Sequence, residues 1–325
     1  MRALFTALLL TTTLLAQSPK PLPSDDAARI AEFYRLATQI ENTVWPNWST
    51  APAPLLLVTS DTEYLTHFPA PPSDFQKLTD DLYVRPRQFP VNLLATFPAF
   101  GPPAVILIGE PANTTAKTST PWLITVMHEH FHQLQHAQSG YYHAVDALGL
   151  SKGDQTGMWM LNYPFPYDEP LTAQSFAHLR DSLLAALNEV DSQKFAPLLK
   201  QYLKERKDFM AQFLPGDRKY LSFQLWQEGV ARYTQIKAAE AAADYQPSPA
   251  FAALPDYTPF SSYALTARAR TLDELRHVDL AQSKREAFYS FGAAEALLLD
   301  RINPAWKDHY FQHLLTTDTL FPPVR

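Results

Sequence analysis

The chain has 325 residues, of which 46% are apolar, 18% charged and 13% aromatic, with a formal net charge of -6. That length and apolar content suffice for one large core or two modest ones, and the aromatic content excludes a disordered chain. The mildly acidic balance, without a basic stripe, excludes a nucleic-acid surface.

The first residues read as an address. Arg2 supplies a positive n-region, and Ala3 to Ala16 is a short apolar run ending on a small residue, although Leu14 fits poorly as the residue two places before cleavage. The run is too short for a comfortable membrane span, and no later stretch approaches that length. Residues 1–16 are therefore expected to be a signal peptide, with a buried N-terminal helix as the alternative. The mature chain, residues 17–325, is expected in a bacterial periplasm or the medium without a membrane span. Cysteine is absent, which removes both a disulfide framework and a lipid-modified cysteine anchor.

Gln17 to Pro23 is a proline-rich connector. Ser24 looks like an N-cap, with Asp25 and Asp26 in the first turn, where the helix dipole favours them. Ile30, Phe33, Ala37, Ile40 and Val44 recur at helical spacing until Pro46. Four apolar or β-branched runs follow: Leu55 to Thr59, Asp81 to Arg85, Val91 to Thr96 and Ala104 to Ile108. Proline clusters bound them and each is read as a strand. From Pro121 the pattern is helical, with Thr120 as N-cap and Ser139-Gly140 as a stop. A loop is expected from about Tyr141 to Pro170. Helical periodicity returns at Thr172 to Val190, Ser192 to Leu214, Arg218 to Ala243, Leu265 to Ala281 and Lys284 to Ile302. The layout is α+β: an α/β-rich part over residues 17–119, then a helical part over 120–325.

The first of these later helices contains His128-Glu129-His130-Phe131-His132, the pattern HExxH. Residues i and i+4 lie about 40° apart around a helix and about 6 Å apart along it. Imidazoles so placed can meet one Zn2+ at about 2.0–2.1 Å. Glu129, about 100° from His128, is turned away from ligation and toward the position of a general base. His130 is about 200° from His128 and reads as a packed or solvated histidine. His136 shares the face of His132 but lies about 12 Å along the axis from His128, too far to close the same site. It suits a supporting or cleft position. His143, in the expected loop, is an alternative ligand.

A catalytic zinc needs a third protein ligand and an open position. The best candidate is Glu228, in Leu225-Trp226-Gln227-Glu228-Gly229-Val230-Ala231-Arg232-Tyr233, because a carboxylate among apolar helical neighbours is costly without a partner. Gly229 inside a helix costs about 1 kcal/mol relative to alanine. Close approach of this helix to the His128 helix would justify keeping it.

HExxH followed by a separate Glu-Gly-x-Ala-x-Tyr resembles the gluzincin zinc metallopeptidases, in particular the aminopeptidase-N-like branch and its uncharacterised peptidase relatives. The resemblance rests on short motifs within residues 100–300. It implies one Zn2+ per chain held by His128, His132 and Glu228, with Glu129 as catalytic base and a peptide or protein as substrate. Tyr289-Ser290-Phe291-Gly292 resembles that branch's Tyr-x-x-Gly element, which implies that Tyr289 stabilises the tetrahedral intermediate, with Arg232 as a nearby helper. Tyr289 lies 289 − 228 = 61 residues beyond Glu228. The pattern departs from the branch in three ways. The segment between His132 and Glu228 is far longer, and no Gly-x-Met-x-Asn precedes HExxH. Arg232 stands where thermolysin-like enzymes carry an aspartate. The strand at Ala104 to Gly109 is expected beside the cleft, where an extended peptide can add to it. Two rival readings remain open: a hydrolase of a non-peptide bond, and a binding protein with a structural zinc.

Overall fold

The computed structural model describes residues 19–323; the expected signal peptide lies outside them. The architecture is α+β, with a six-stranded mixed sheet followed by a mostly helical region. Among the described residues, no helix is long and apolar enough to cross a membrane.

Helix α1 runs Ser24–Val44. Ser24 is its first residue rather than its cap. Pro23 holds the cap position and no side chain closes it, while Asp25 and Asp26 occupy the first turn. The strands are β1 Leu55–Val58, β2 Thr62–Thr66, β3 Gln76–Lys77, β4 Leu82–Pro86, β5 Leu94–Phe97 and β6 Val105–Gly109. Their order is β3-β4-β2-β1-β6-β5, with β1 and β6 parallel and every other pair antiparallel. Two strands beyond the four expected are thus present. β2 escapes a sequence reading because Glu63 interrupts it. In the fold Glu63 is fully buried, accepting from Arg85 Nε at 2.7 Å and from the Gln88 backbone N–H at 2.7 Å.

Successive residues of a strand face opposite sides of the sheet. Leu55, Leu57, Tyr64, Ile106 and Ile108 face the helices and join the main core. Leu56, Val58, Leu65, Val105 and Leu107 face the other way and pack with Phe68 and Phe75. Phe89 and Phe100 close over that second cluster, and the Arg85 guanidinium lies 5.1 Å from the Phe100 ring centre. Both faces are covered, which explains the unbroken apolar runs of β1 and β6. The α/β-rich and helical parts share one continuous core.

Helix α2, Ser119–His136, begins two residues earlier than Pro121 suggests, with Thr118 at the cap. It lies under β5 and β6 and against α1. The expected loop from Tyr141 to Pro170 contains two helices, α3 Tyr141–Ala147 and the single turn α4 Trp159–Asn162. Next come α5 Pro170–Asn188 and α6 Ser192–Ala211. The helix expected at Arg218 to Ala243 is α7 Pro215–Gln224, a π-turn over Leu225–Gly229, and α8 Val230–Ala241. The short α9, Pro249–Ala252, was not foreseen in the sequence, and α10 starts earlier than expected, at Phe260–His277. The one-turn α11, Leu280–Ser283, leads to α12, Ala287–Ile302, and the short α13, Trp306–Tyr310, completes the set.

Candidate metal centre

Fifteen of the eighteen residues of α2 are buried, among them His128, Glu129, His130, His132, Gln133 and Gln135. So many polar side chains on an inaccessible helix are costly unless each has a partner. Gln133 explains itself: its amide donates to the carbonyls of Pro54 and Ala104 at 2.9 and 3.0 Å, tying α2 to the sheet. His130 faces α1, with Nδ1 2.9 Å from Gln133 Oε1 and Nε2 3.3 Å from Glu41 Oε2, stacked on Trp48. It is a packed histidine.

His128 and His132 share the opposite face. Their Nε2 atoms converge to 3.2 Å. Glu228 Oε2 completes a triangle, 3.3 Å from His132 Nε2 and 3.8 Å from His128 Nε2. Three ligand atoms at about 2.0–2.1 Å from a tetrahedral zinc stand about 3.3 Å apart, so the donor set fits that ion. Glu129 also brings a carboxylate oxygen within 4.8 Å of both histidines. Two carboxylates therefore compete for the third position. Glu228 fits better, because its Oε2 faces both Nε2 atoms, whereas Glu129 Oε2 accepts a hydrogen bond from Thr96 Oγ1 at 2.8 Å. Glu129 Oε1 has no hydrogen-bond partner among the described residues.

The supports of the two histidines differ. His132 Nδ1 lies 2.6 Å from Gln135 Oε1, which favours the tautomer with the proton on Nδ1 and the Nε2 lone pair aimed at the triangle. His128 Nδ1 is buried without a partner among the described residues. Burial disfavours charge on His132, but Glu228 outweighs it and brings the imidazole up to about 9. Burial likewise opposes ionisation of Glu228, and His132, His128 and Arg285 override it, holding the carboxyl well below its ordinary value.

Glu228 sits on the π-turn, in which the Val230 N–H bonds to the Leu225 carbonyl five residues back. Such turns re-aim side chains and leave carbonyls without helical partners. Here Gln135 Nε2 donates to the carbonyls of Trp226 and Gln227, both at 3.1 Å, and Tyr310 Oη donates to that of Trp226 at 2.6 Å. One glutamine thus orients His132 and holds the turn that presents Glu228.

The expected reason for Gly229 is corrected. A Cβ there would lie 2.6 Å from the Gly292 Cα, and the converse holds for Gly292. The close approach is to α12, not to the His128 helix. This contact joins the Glu-Gly and Tyr-x-x-Gly segments and brings Tyr289 to the site. Its ring lies parallel to that of His128 with centres 6.3 Å apart. Burial first, then the charge of Glu228, raises the phenol well above its ordinary value, so the hydroxyl keeps its proton. Arg285 Nη1 donates to Tyr289 Oη at 2.6 Å and stands 3.7 Å from Glu228 Oε1.

Other expectations are displaced. Arg232 points away, to Gln235 and Glu274. Tyr233 Oη bonds to Asp300 at 2.7 Å. His143 is exposed on α3. His136 stacks on Tyr141 with ring centres 4.6 Å apart, its Nε2 3.4 Å from Gln227 Nε2. β6 is hydrogen-bonded on both sides and cannot accept a peptide; β5 is the edge strand, and it carries Thr96. Sequence reasoning missed Thr96, Gln135 and Arg285. Gln135, three residues after His132, was open to a helical-spacing argument. Thr96 and Arg285 have no local mark.

No protein-family model, curated protein or solved structure matches the chain.

Proposed function

We propose that the chain is an exported zinc-dependent hydrolase that cleaves peptide bonds, with His128, His132 and Glu228 as the ligands of one Zn2+. The observation that carries this reading is the triangle of two imidazole nitrogens and one carboxylate oxygen, with a carboxylate oxygen of Glu129 within 4.8 Å of both histidines. A zinc ion held there supplies Lewis acidity toward a carbonyl and makes water a competent nucleophile near neutral pH.

Glu129 takes the proton from the attacking water at Oε1, while Thr96 keeps Oε2 in place. Tyr289 accepts from Arg285, and its own O–H, which faces the Glu228 carboxylate, turns to donate to the oxyanion that develops on the substrate. The free edge of β5 offers an extended peptide main-chain hydrogen bonds beside Thr96. Glu129 then returns its proton to the leaving amine.

The test joins metal analysis to a digest of a mixed peptide library, with Glu129→Gln as control. The expected result is about one zinc per chain in both proteins, with turnover reduced at least about 10²-fold in the variant. Wild-type-like turnover in Glu129→Gln removes this mechanism. Bound zinc with no cleavage of peptides, but cleavage of an ester panel, replaces the peptide bond with another. Zinc whose removal by chelation unfolds the chain, with no turnover on any substrate, makes the ion a structural staple.

A further inference from the structure

Arg285 is the one arginine or lysine within 4 Å of the candidate ligand Glu228 among the described residues, and most of its hydrogen-bonding capacity is unspent. A guanidinium carries five N–H donors. Only Nη1 has a partner among the described residues, the Tyr289 hydroxyl. The contact to Glu228 Oε1, at 3.7 Å, is longer than a hydrogen bond. No atom of Arg285 is among the buried polar atoms without a partner, and its side chain is 21% exposed, so its remaining donors reach solvent.

The surroundings do not neutralise it. The carboxylate of Glu228 is turned to two imidazoles through Oε2, and a dication bound there would draw its charge further away. The nearby Tyr167 and Tyr220 hydroxyls feel the guanidinium's charge but are already committed, Tyr167 to Tyr220 and Tyr220 to the Met160 carbonyl. Glu286, next in sequence, is exposed. An arginine with a free planar fork at a reacting centre matches the two oxygens of a carboxylate.

We infer that Arg285 anchors a carboxylate of the substrate, so that the site prefers peptides with a negative charge close to the bond that is cut. This deepens the hydrolase reading and rests on it. A residue of chain spans about 3.8 Å, and Arg285 reaches both Glu228 and Tyr289. The favoured carboxylate is therefore within about one residue of the scissile carbonyl. Two sources share that chemistry: the free C-terminus and an acidic side chain.

The experiment compares three pools of N-acetylated peptides of equal length. One has free C-termini, one has amidated C-termini, and one is amidated with a glutamate at the last position. Wild type, Arg285→Met and Arg285→Lys are compared by the ratio of cleavage rates between pools, since replacing Arg285 also removes the bond to Tyr289 and slows every pool. Wild type is expected to cut a carboxylate-bearing pool at least about tenfold faster than the plain amidated pool. Arg285→Met should bring that ratio close to one, and Arg285→Lys should keep part of it. Preference for the free-acid pool identifies the C-terminus as the source; preference for the glutamate pool identifies the side chain. Equal cleavage of all pools by wild type, or a ratio unchanged in Arg285→Met, overturns the inference while leaving the hydrolase standing. If neither these pools nor the mixed peptide library is cleaved, the peptide-hydrolase reading fails. Binding of a dansyl dipeptide as free acid and as amide then decides the anchor alone. Equal affinity of wild type for the two overturns it. An acid preference of about tenfold, lost in Arg285→Met, supports it.

Discussion

Helix α2 presents histidines to two sides, and the sides are finished differently. His130, 1% exposed, has both ring nitrogens partnered, by Gln133 and Glu41, and lies against Trp48 and Phe33. Nothing is left for a further ligand to satisfy. On the other side, His128 and His132 aim their Nε2 atoms at each other and at Glu228. Two ring nitrogens at hydrogen-bond distance satisfy each other only if one donates, and Glu228 accepts from whichever is protonated. Such a cluster has one place where three electron pairs meet. Convergent donors, and not histidine content or burial, distinguish a candidate site from a packed core.

The sharpest way to break that comparison is to remove one histidine from each side. His132→Ala is expected to abolish stoichiometric zinc binding, because the triangle loses a corner. His130→Ala is expected to keep about one zinc per chain and instead lose about 2–4 kcal/mol of stability, through the cavity against Trp48 and the unpaired Glu41. Metal analysis and urea unfolding of the two variants separate the roles. Equal zinc loss in both would erase the distinction between the two faces.

Tyr289 extends the comparison to the partner helix. A phenol that meets the substrate oxygen only as charge develops contributes to kcat more than to binding. Tyr289→Phe is therefore expected to lower kcat about 10²–10³-fold, with zinc content unchanged and KM little altered. A variant with undiminished kcat would reduce Tyr289 to a ring stacked on His128.

Gln135 carries the next effect in size. It holds His132 Nδ1 at one end and the π-turn of Glu228 at the other. Gln135→Leu keeps the volume and removes both links. Zinc affinity should fall about 10–100-fold, read by competition with a chelator. An unchanged affinity would mean that packing alone sets the histidine and the turn.

The HExxH helix was legible because its content is local: four residues of spacing place two side chains on one face. The α+β layout was legible for a similar reason, since the sheet and helical regions differ in period and in proline placement. Glu228 stood out as a carboxylate among apolar neighbours. What escaped depends on distant chain segments. Thr96 meets Glu129 across 33 residues, and Arg85 neutralises Glu63 across 22. Gly229 looked like a helix defect and proved to be half of a glycine pair, whose other half lies on α12. The π-turn is also invisible in a helical pattern, because it changes the register of the backbone and not the residue types. The strand chosen for the peptide was wrong for the same reason: apolar continuity marks a strand covered on both faces, whereas an edge is defined by its neighbours.

His136 is the intermediate case on the same helix, and it tests the comparison at its finest. It is stacked on Tyr141, and among the described residues its Nδ1 is buried without a partner and no carboxylate is hydrogen-bonded to it as Glu41 is to His130. Burial, with a smaller contribution from His132, holds its pKa down to about 3, against the opposing pull of Glu228. In the unfolded chain an imidazole titrates near 6.5. Between about pH 6.5 and pH 3 the unfolded state therefore binds a proton that the native state refuses. Stability from this group is intact above that window and falls as the pH drops through it. In His136→Gln the linked proton is gone. Its melting temperature should decline less steeply than that of wild type between pH 7 and pH 5, with a difference on the order of 1 kcal/mol at pH 5. The comparison is made on metal-free protein, so that the titrations shared by the two chains cancel. Parallel pH profiles would mean that His136 takes up its proton in the native state as readily as in the unfolded one, through opening of the stack on Tyr141.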